Sequence, residues 1–317
     1  MKPEKPESKD TIDDRISHGE MIVNDVRLHY VSAGPSNGDL VVCLHGFPEF
    51  WYAWRHQIPA LADAGYRVIA PDMRGYNRSE KPHGLEAYRL EELTEDVSEL
   101  ITELGYEQGY LVAHDWGGLV AWATAYSKPE VVRALTVLNA PHPVKYVREL
   151  SLEQCLRSWY VLWFQVPWIP NRFLTMKNSA ALESVFSDSA ADPAAFTDRD
   201  IERYRRAFSR PGVAKSALAY YRALFRGWFP QRAVGRLPLV GDRLAPPVPR
   251  VTTPTQVLWG EQDTALAVEQ TVGLERYVDD LTVRRFPDAS HWLHIERPDA
   301  VTESILEFFS DQHDGRY

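Results

Sequence analysis

Cysteine is scarce in this chain: Cys43 and Cys155 are the only two among 317 residues. No disulfide framework can therefore staple the fold, which suits a reducing cytoplasm. Long apolar runs are missing as well. The richest stretch, Trp159 to Pro170, is interrupted by Gln165 and two prolines, well short of the roughly 18 residues that a membrane helix needs. No Gly-rich phosphate loop, zinc-spaced Cys/His set or internal repeat occurs, so neither cofactor nor metal is expected. Basic residues are in deficit, 35 Lys/Arg against 44 Asp/Glu for a net charge of −9, which argues against a nucleic-acid partner. The start, Met1 to Asp14, is charged and Pro-bearing and lacks the apolar core of a signal peptide. Residues 1–18 are expected to form a disordered leader.

What is present is ample core material. Apolar residues make up 44% of the chain, and the length allows one large domain with an insertion. Met21 to Val31 reads as two short alternating strands. Strand and helix patterns then alternate through residue 140, as in a mostly parallel sheet. From 141 to 249 the pattern turns helical and aromatic, and Arg236 to Pro249, rich in Pro and Gly, reads as a long return loop. From Thr252 the alternation resumes and ends in an amphipathic helix, Ala300 to Phe309. The predicted division is a catalytic domain, 19–140 and 250–317, with a helical cap at 141–249. Charge follows it: the cap carries 16 Lys/Arg and 9 Asp/Glu, a net of +7, and the remainder a net of −16. The cluster Arg203, Arg205, Arg206 and Arg210 reads as a solvated helix face.

Asp115 holds the most informative position. It follows the apolar run Gly109-Tyr110-Leu111-Val112 and precedes a helix-like stretch, Leu119 to Tyr126. Small Ala113 and Gly117 flank it at the spacing of a nucleophile elbow, the sharp strand-to-helix turn that presents a reactive side chain at a sheet edge. The usual central residue is Ser or Cys. A carboxylate, with an ordinary pKa of about 3.9, is already an anion at neutral pH and needs no activating base. It attacks acyl carbon poorly but can displace at a saturated carbon bearing a strained or departing group, leaving an ester that water must cleave.

That second step needs a base and an oxyanion hole. The base is assigned to His291, just after the strand-like Thr282 to Phe286, and its orienting acid to Asp263, after Gln256-Val257-Leu258. The order nucleophile, acid, histidine is that of the α/β-hydrolase fold. A carboxylate on one imidazole nitrogen fixes the tautomer and leaves the other nitrogen to take a proton from water. His294 is a rival base and Glu261 a rival acid. The other place for an acid, after the strand Ala134 to Leu138, is held by Asn139, which cannot carry the charge. The oxyanion hole maps to His45-Gly46-Phe47-Pro48-Glu49, with the backbone N–H groups of Phe47 and Trp116 converging on the ester oxygen. The Phe47–Pro48 bond is a candidate for the cis form. His45 and His114 are expected to hold loops.

The segments His45-Gly46-Phe47-Pro48-Glu49, Pro71-Asp72-Met73-Arg74-Gly75-Tyr76, His114-Asp115-Trp116-Gly117-Gly118 and His291-Trp292, in this order, resemble those of soluble epoxide hydrolases of the α/β-hydrolase superfamily. The likeness runs from about residue 20 to 310, excepting parts of the middle. It implies a mostly parallel sheet flanked by helices with an inserted helical cap, and conversion of a small apolar epoxide and water to a vicinal diol. It also implies two lid tyrosines that hold the epoxide oxygen and supply its proton. These match Tyr160 and, by the Tyr-Arg pair, Tyr221, with adjacent Tyr220 as the alternative. Trp116, Trp163 and Phe164 are expected in the substrate pocket, and Trp159, Trp168, Phe225 and Trp228 add to an apolar lining. A haloalkane dehalogenase would use the same Asp and His, but an Asn at the position of Phe47 is absent, and a halide needs no tyrosine proton. A non-catalytic ligand-binding protein on this scaffold is a third reading. A homodimer is left open, and no membrane partner is expected.

Overall fold

The structure, a computed structural model, describes residues 12–235 and 250–314. Eight strands form one sheet: β1 (Ser17–Val23), β2 (Val26–Ala33), β3 (Leu40–Leu44), β4 (Arg67–Pro71), β5 (Gly109–His114), β6 (Val132–Leu138), β7 (Thr255–Gly260) and β8 (Leu281–Phe286). Their spatial order is β1-β2-β4-β3-β5-β6-β7-β8. The β1–β2 and β2–β4 pairs are antiparallel, and every pairing from β4 to β8 is parallel.

Burial explains the strand sequences. All residues of β3, β5 and β7 are buried. They read as continuous apolar runs because helices cover both faces of the sheet. Antiparallel β1 alternates instead, and β8 at the far edge is largely exposed, with Arg284 and Arg285 in its middle. Charge on an edge strand discourages pairing with other chains.

The helices associated with the sheet are α1 (Gln57–Asp63), α2 (Leu90–Glu103) and α3 (Asp115–Ser127). Between β6 and β7, which are neighbours in the sheet, the chain inserts α4 (Pro143–Arg148), α5 (Leu152–Arg157), α6 (Trp159–Trp163), α7 (Ile169–Ser179), α8 (Ala181–Ser189), α9 (Asp198–Phe208) and α10 (Val213–Gly235). After β8 come α11 (Leu293–Glu296) and α12 (Pro298–Asp314). The N-terminus of α9 is fixed by a reciprocal cap between Thr197 and Asp200. Asp200 also accepts from the Tyr52 hydroxyl at 2.8 Å and pairs with Arg55 at 3.3 Å. A buried carboxylate thus ties the insertion to the sheet domain.

One expectation changes here. Residues 12–18 were expected in a disordered leader, but a 3-10 turn covers Ile12–Arg15, β1 starts at Ser17, and Asp13 is paired with Arg203 of α9. These residues are ordered because the start of the sheet and the insertion hold them, contacts remote in sequence. Residues 1–11, the return loop 236–249 and the Trp228 side chain lie outside the described residues. Among those described, no helix is long and apolar enough to cross a membrane.

Candidate active site

In the parallel part of the sheet every strand delivers its following loop to the same edge. Strand order reverses between β3 and β5, since β4 lies on one side of β3 and β5 on the other. Loops leaving β3 and β5 therefore diverge and open a crevice, the general ligand position in such sheets. His45 to Phe47 leave β3 there and Asp115 leaves β5. Asn139 follows β6, Asp263 follows β7 and His291 follows β8.

Asp115 is the first residue of α3 and has φ of +49°. A left-handed conformation is uncommon for a residue with a side chain and persists only where the surroundings enforce it. The enforcement is close packing. A Cβ on Gly117 would lie 2.4 Å from the Leu44 carbonyl oxygen, and one on Gly46 would lie 2.5 Å from Asp115 Cβ. Neither position accepts a side chain without moving backbone, so the two glycines let α3 and the β3 loop close on Asp115.

The carboxylate oxygens of Asp115 have different neighbours. Oδ1 accepts from the Phe47 backbone N–H at 2.7 Å, and Oδ2 lies 3.7 Å from His291 Nε2. The Phe47–Pro48 bond is cis. Trp116, second in α3, has a backbone N–H in the first turn, where no intrahelical acceptor exists.

Behind the imidazole, His291 Nδ1 donates to Asp263 Oδ2 at 2.7 Å. Asp263 also accepts from Asn139 Nδ2 at 2.8 Å and from the amides of Ala265 and Leu266 at 2.7 and 2.9 Å. Burial alone would raise the Asp263 pKa, but the His291 charge and these donors hold it below the ordinary value. Burial likewise depresses His291, yet the anions of Asp263, Asp115 and Glu49 outweigh it and raise its pKa to about 9.

A cavity of about 90 Å³ opens beside Asp115, with Trp116, Tyr160, Tyr221 and Phe225 on its wall. The Tyr160 and Tyr221 rings stand 6.0 Å apart and nearly perpendicular. Burial, then the Asp115 charge, push both hydroxyls well above the usual phenol range. They remain protonated at neutral pH and can donate.

The chain matches the family model described as the alpha/beta hydrolase fold over residues 39–298. It is 40% identical to the AB hydrolase superfamily protein YfhM of Bacillus subtilis, with 91% of this chain and 96% of that protein covered. It is 35% identical to human epoxide hydrolase 4, with 90% and 76% covered. Among solved structures it resembles the Bacillus megaterium epoxide hydrolase crystallised with an inhibitor, with a TM-score of 0.82, 34% identity, and 92% and 100% coverage. Epoxide hydrolase A from Mycobacterium thermoresistibile gives 0.76 and 31%, covering 92% and 98%. The chain belongs to the epoxide hydrolases of the α/β-hydrolase family.

In this epoxide hydrolase the rival residues lie elsewhere. The His294 ring is buried 4.4 Å from His114, and its Nε2 is 3.2 Å from Glu49 Oε1, so it faces away from Asp115. Burial, His114 and Arg55 depress its pKa to about 4 against the pull of Glu49. Glu261 is exposed, whereas Asp263 is buried on His291. Tyr220 donates its hydroxyl to the Arg74 carbonyl at 2.7 Å, behind the cavity wall.

The expected pocket needs correction at four aromatic residues. Trp163 and Phe164 do not line the cavity. Helix α6 ends at Trp163, and Phe164 turns into a cluster with Phe47 and Tyr221, at ring distances of 5.6 and 4.9 Å. Trp163 packs against Phe164 and Phe173. Trp159 and Trp168 are exposed, at 65% and 84%.

Two residues were missed as participants. Asn139, read as an empty place for an acid, donates to Asp263 and accepts from the Gly260 amide at 2.9 Å. Glu49, quoted in a motif without a role, lies fully buried, with Oε2 2.9 Å from His114 Nδ1 and accepting from the Gly46 amide at 3.1 Å. Burial opposes its charge, but His114 and His294 hold its pKa well below the ordinary value. The other His114 nitrogen donates to the His291 carbonyl at 2.9 Å, which couples Glu49 to the loop that carries His291. His45 fixes a loop: Nε2 accepts from the Met73 amide at 3.0 Å, so Nδ1 carries the hydrogen toward the Gly46 carbonyl. Glu49, His114 and His294 could offer three metal-ligating atoms, yet each of those atoms already has a hydrogen-bond partner within the trio.

Proposed function

We propose that the chain hydrolyses epoxides to vicinal diols through a covalent ester on Asp115. The observation that carries this reading is the asymmetry of that carboxylate, one oxygen on the Phe47 amide and the other facing His291, beneath two tyrosines. Oδ2 attacks a ring carbon, the C–O bond breaks, and Tyr160 and Tyr221 stabilise the epoxide oxygen while one gives it a proton. Oδ1 becomes the ester carbonyl, already on the Phe47 amide, with the Trp116 amide as the second donor of the oxyanion hole.

His291, oriented by Asp263, then takes a proton from water as the hydroxide adds to Cγ of Asp115. Collapse expels the alkoxide, which the imidazolium protonates. The carboxylic proton left on Asp115 restores the tyrosinate. The sum is epoxide plus water to diol. Helices α4 to α10 act as the cap, and Leu119, Val161, Leu224, Phe225 and Leu266 on the cavity wall suit an alkyl or aryl substituent. The names of the relatives support the substrate class. No observation favours the dehalogenase: the two phenols beside Asp115, held protonated by burial and the Asp115 charge, suit an oxygen that takes a proton rather than a halide.

Diol formation from aryl and alkyl epoxides, with halide release from haloalkanes followed in parallel, tests the reaction. Diol is expected from the wild type and none from Asp115→Ala. A single turnover in ¹⁸O-water should label Asp115 rather than the diol. Label in the diol would reject the covalent route, and halide without diol would reject the substrate class.

A further inference from the structure

Away from the Asp115 cavity, a cleft of about 440 Å³ runs between α9 and the sheet domain. Its cap wall carries Arg199, Arg203 and Arg206, at the 4- and 3-residue spacing that aligns side chains on one helix face, and Arg210 continues the row. Arg78 faces them from the loop after β4. A second open region of about 520 Å³ shares Asn77, Arg78 and Arg210 with this cleft and adds Lys81, so the two are continuous.

The charge is uncompensated. Arg203 is taken by Asp13. Among the described residues, the side chains of Arg78, Arg199, Arg206 and Arg210 have no hydrogen-bond or ion-pair partner. Of the other acids on the walls, Glu202 lies 3.9 Å from Arg205 and Glu20 pairs with Arg27 at 2.8 Å. The neighbours register the field. Burial and then Arg210 and Arg27 bring the Lys81 pKa down to about 8, against Asp72. Burial, His29 and Arg78 lower His18, against Asp72 and Asp13.

The walls are also rigid. Asp72 accepts from His29 Nδ1 at 2.6 Å, from Asn77 at 2.9 Å and from the Arg78 amide at 3.3 Å. His29 in turn bonds His18 at 2.9 Å, and α9 is anchored through Asp200. Four unpaired guanidinium groups held around one cleft, on a chain of net charge −9, repel one another until an anion enters. The planar forks match phosphate and carboxylate oxygens. The volume is that of a metabolite, and the acidic remainder of the chain repels a long polyanion.

We propose that this cleft binds a small organic polyanion, bearing phosphate or carboxylate groups, between Arg199, Arg206 and Arg210 of the cap and Arg78 of the sheet domain. The ligand bridges the two parts of the chain and lies outside the epoxide cavity.

The test is isothermal titration of the full chain with tripolyphosphate and, separately, citrate, at an ionic strength held constant with chloride. One probe or both should bind saturably at one site per chain. Which one binds identifies the anionic group. Arg78→Gln should weaken binding roughly tenfold, the loss expected for one charged hydrogen-bonding partner, and Arg206→Glu/Arg210→Glu should abolish it. These side chains are exposed, so circular dichroism should show the variants folded. Because the readout is binding, it is independent of whether epoxides are the substrate. Heats no larger than those with chloride, or unchanged binding in folded variants, would overturn the proposal.

Discussion

The amide of Phe47 donates to Oδ1 of Asp115 at 2.7 Å. This bond distinguishes the two oxygens of the carboxylate before any substrate arrives. In the proposed reaction that contact would leave Oδ2 as the attacking atom and put Oδ1 where the charge of the tetrahedral intermediate develops.

The two steps should differ in pH dependence. His291 titrates near 9 in the free enzyme, with the Asp115 anion among the groups that raise it. Alkylation removes that charge, so the base of the ester intermediate loses its proton more readily. In rapid-mixing experiments, ester hydrolysis should rise with pH through an apparent pKa lower than that of free His291. Coincidence of the two values would contradict this.

The same group makes stability depend on pH. The folded value, about 9, lies above the ordinary 6.5, so folding favours the protonated form. The resulting stabilisation is complete below about pH 6.5 and disappears as the pH rises through about 9. Urea titrations should show the wild type losing more stability over this interval than His291→Gln does.

Tyr221→Phe and Tyr220→Phe separate two adjacent phenols. Removing the Tyr221 donor should slow ester formation roughly 100-fold while leaving hydrolysis of the formed ester nearly unchanged. Tyr220→Phe deletes only the bond to the Arg74 carbonyl. It should cost about 1 kcal/mol of stability and alter neither step appreciably. Single-turnover kinetics and thermal denaturation read the two effects.

Asn139→Ala takes one donor from the buried Asp263 carboxylate. The remaining amides still hold the acid, so the expected loss is about tenfold, corresponding to roughly 1.4 kcal/mol. It should fall on ester hydrolysis, and the alkyl-enzyme should accumulate during turnover. Intact-protein mass spectrometry would detect it. Equal slowing of both steps would mean that Asn139 acts through the fold at large.

Glu49→Gln leaves its shape but removes the charge between His114 and His294. An amide in place of the acceptor leaves His114, His294 or the Gly46 amide without its buried partner, which costs about 1–3 kcal/mol, so a marked drop in the urea midpoint is expected. A change within about 0.5 kcal/mol, the range of an ordinary surface substitution, would show that these hydrogen bonds add nothing to stability.

The legible residues were those whose requirements are local. Asp115 stands out because its turn needs small neighbours at fixed offsets, and Asp263 and His291 because strand-like runs precede them. Asn139 and Glu49 were opaque because their roles depend on partners far along the chain: Asp263 for the first, His114 and His294 for the second. Identity misled at Asn139, where the absence of a negative charge concealed a donor. Trp159 of α6 and Trp168, just before α7, failed for another reason. Their apolar rings suggest a pocket lining, but the face a short segment buries is chosen by distant packing, and both are exposed. The order of Ile12–Arg15 is likewise set by contacts across the fold.

The proposed nucleophile, base and acid all stand at strand ends, whereas the proposed proton donors, Tyr160 and Tyr221, stand on the insertion between β6 and β7. Inheritance can therefore act on the two sets separately. A lineage that rebuilt the insertion would retain the apparatus that hydrolyses esters of Asp115 while losing or redirecting the apparatus that opens rings. Grafting insertions between related chains should transfer the choice of substrate and leave the water-activating half intact.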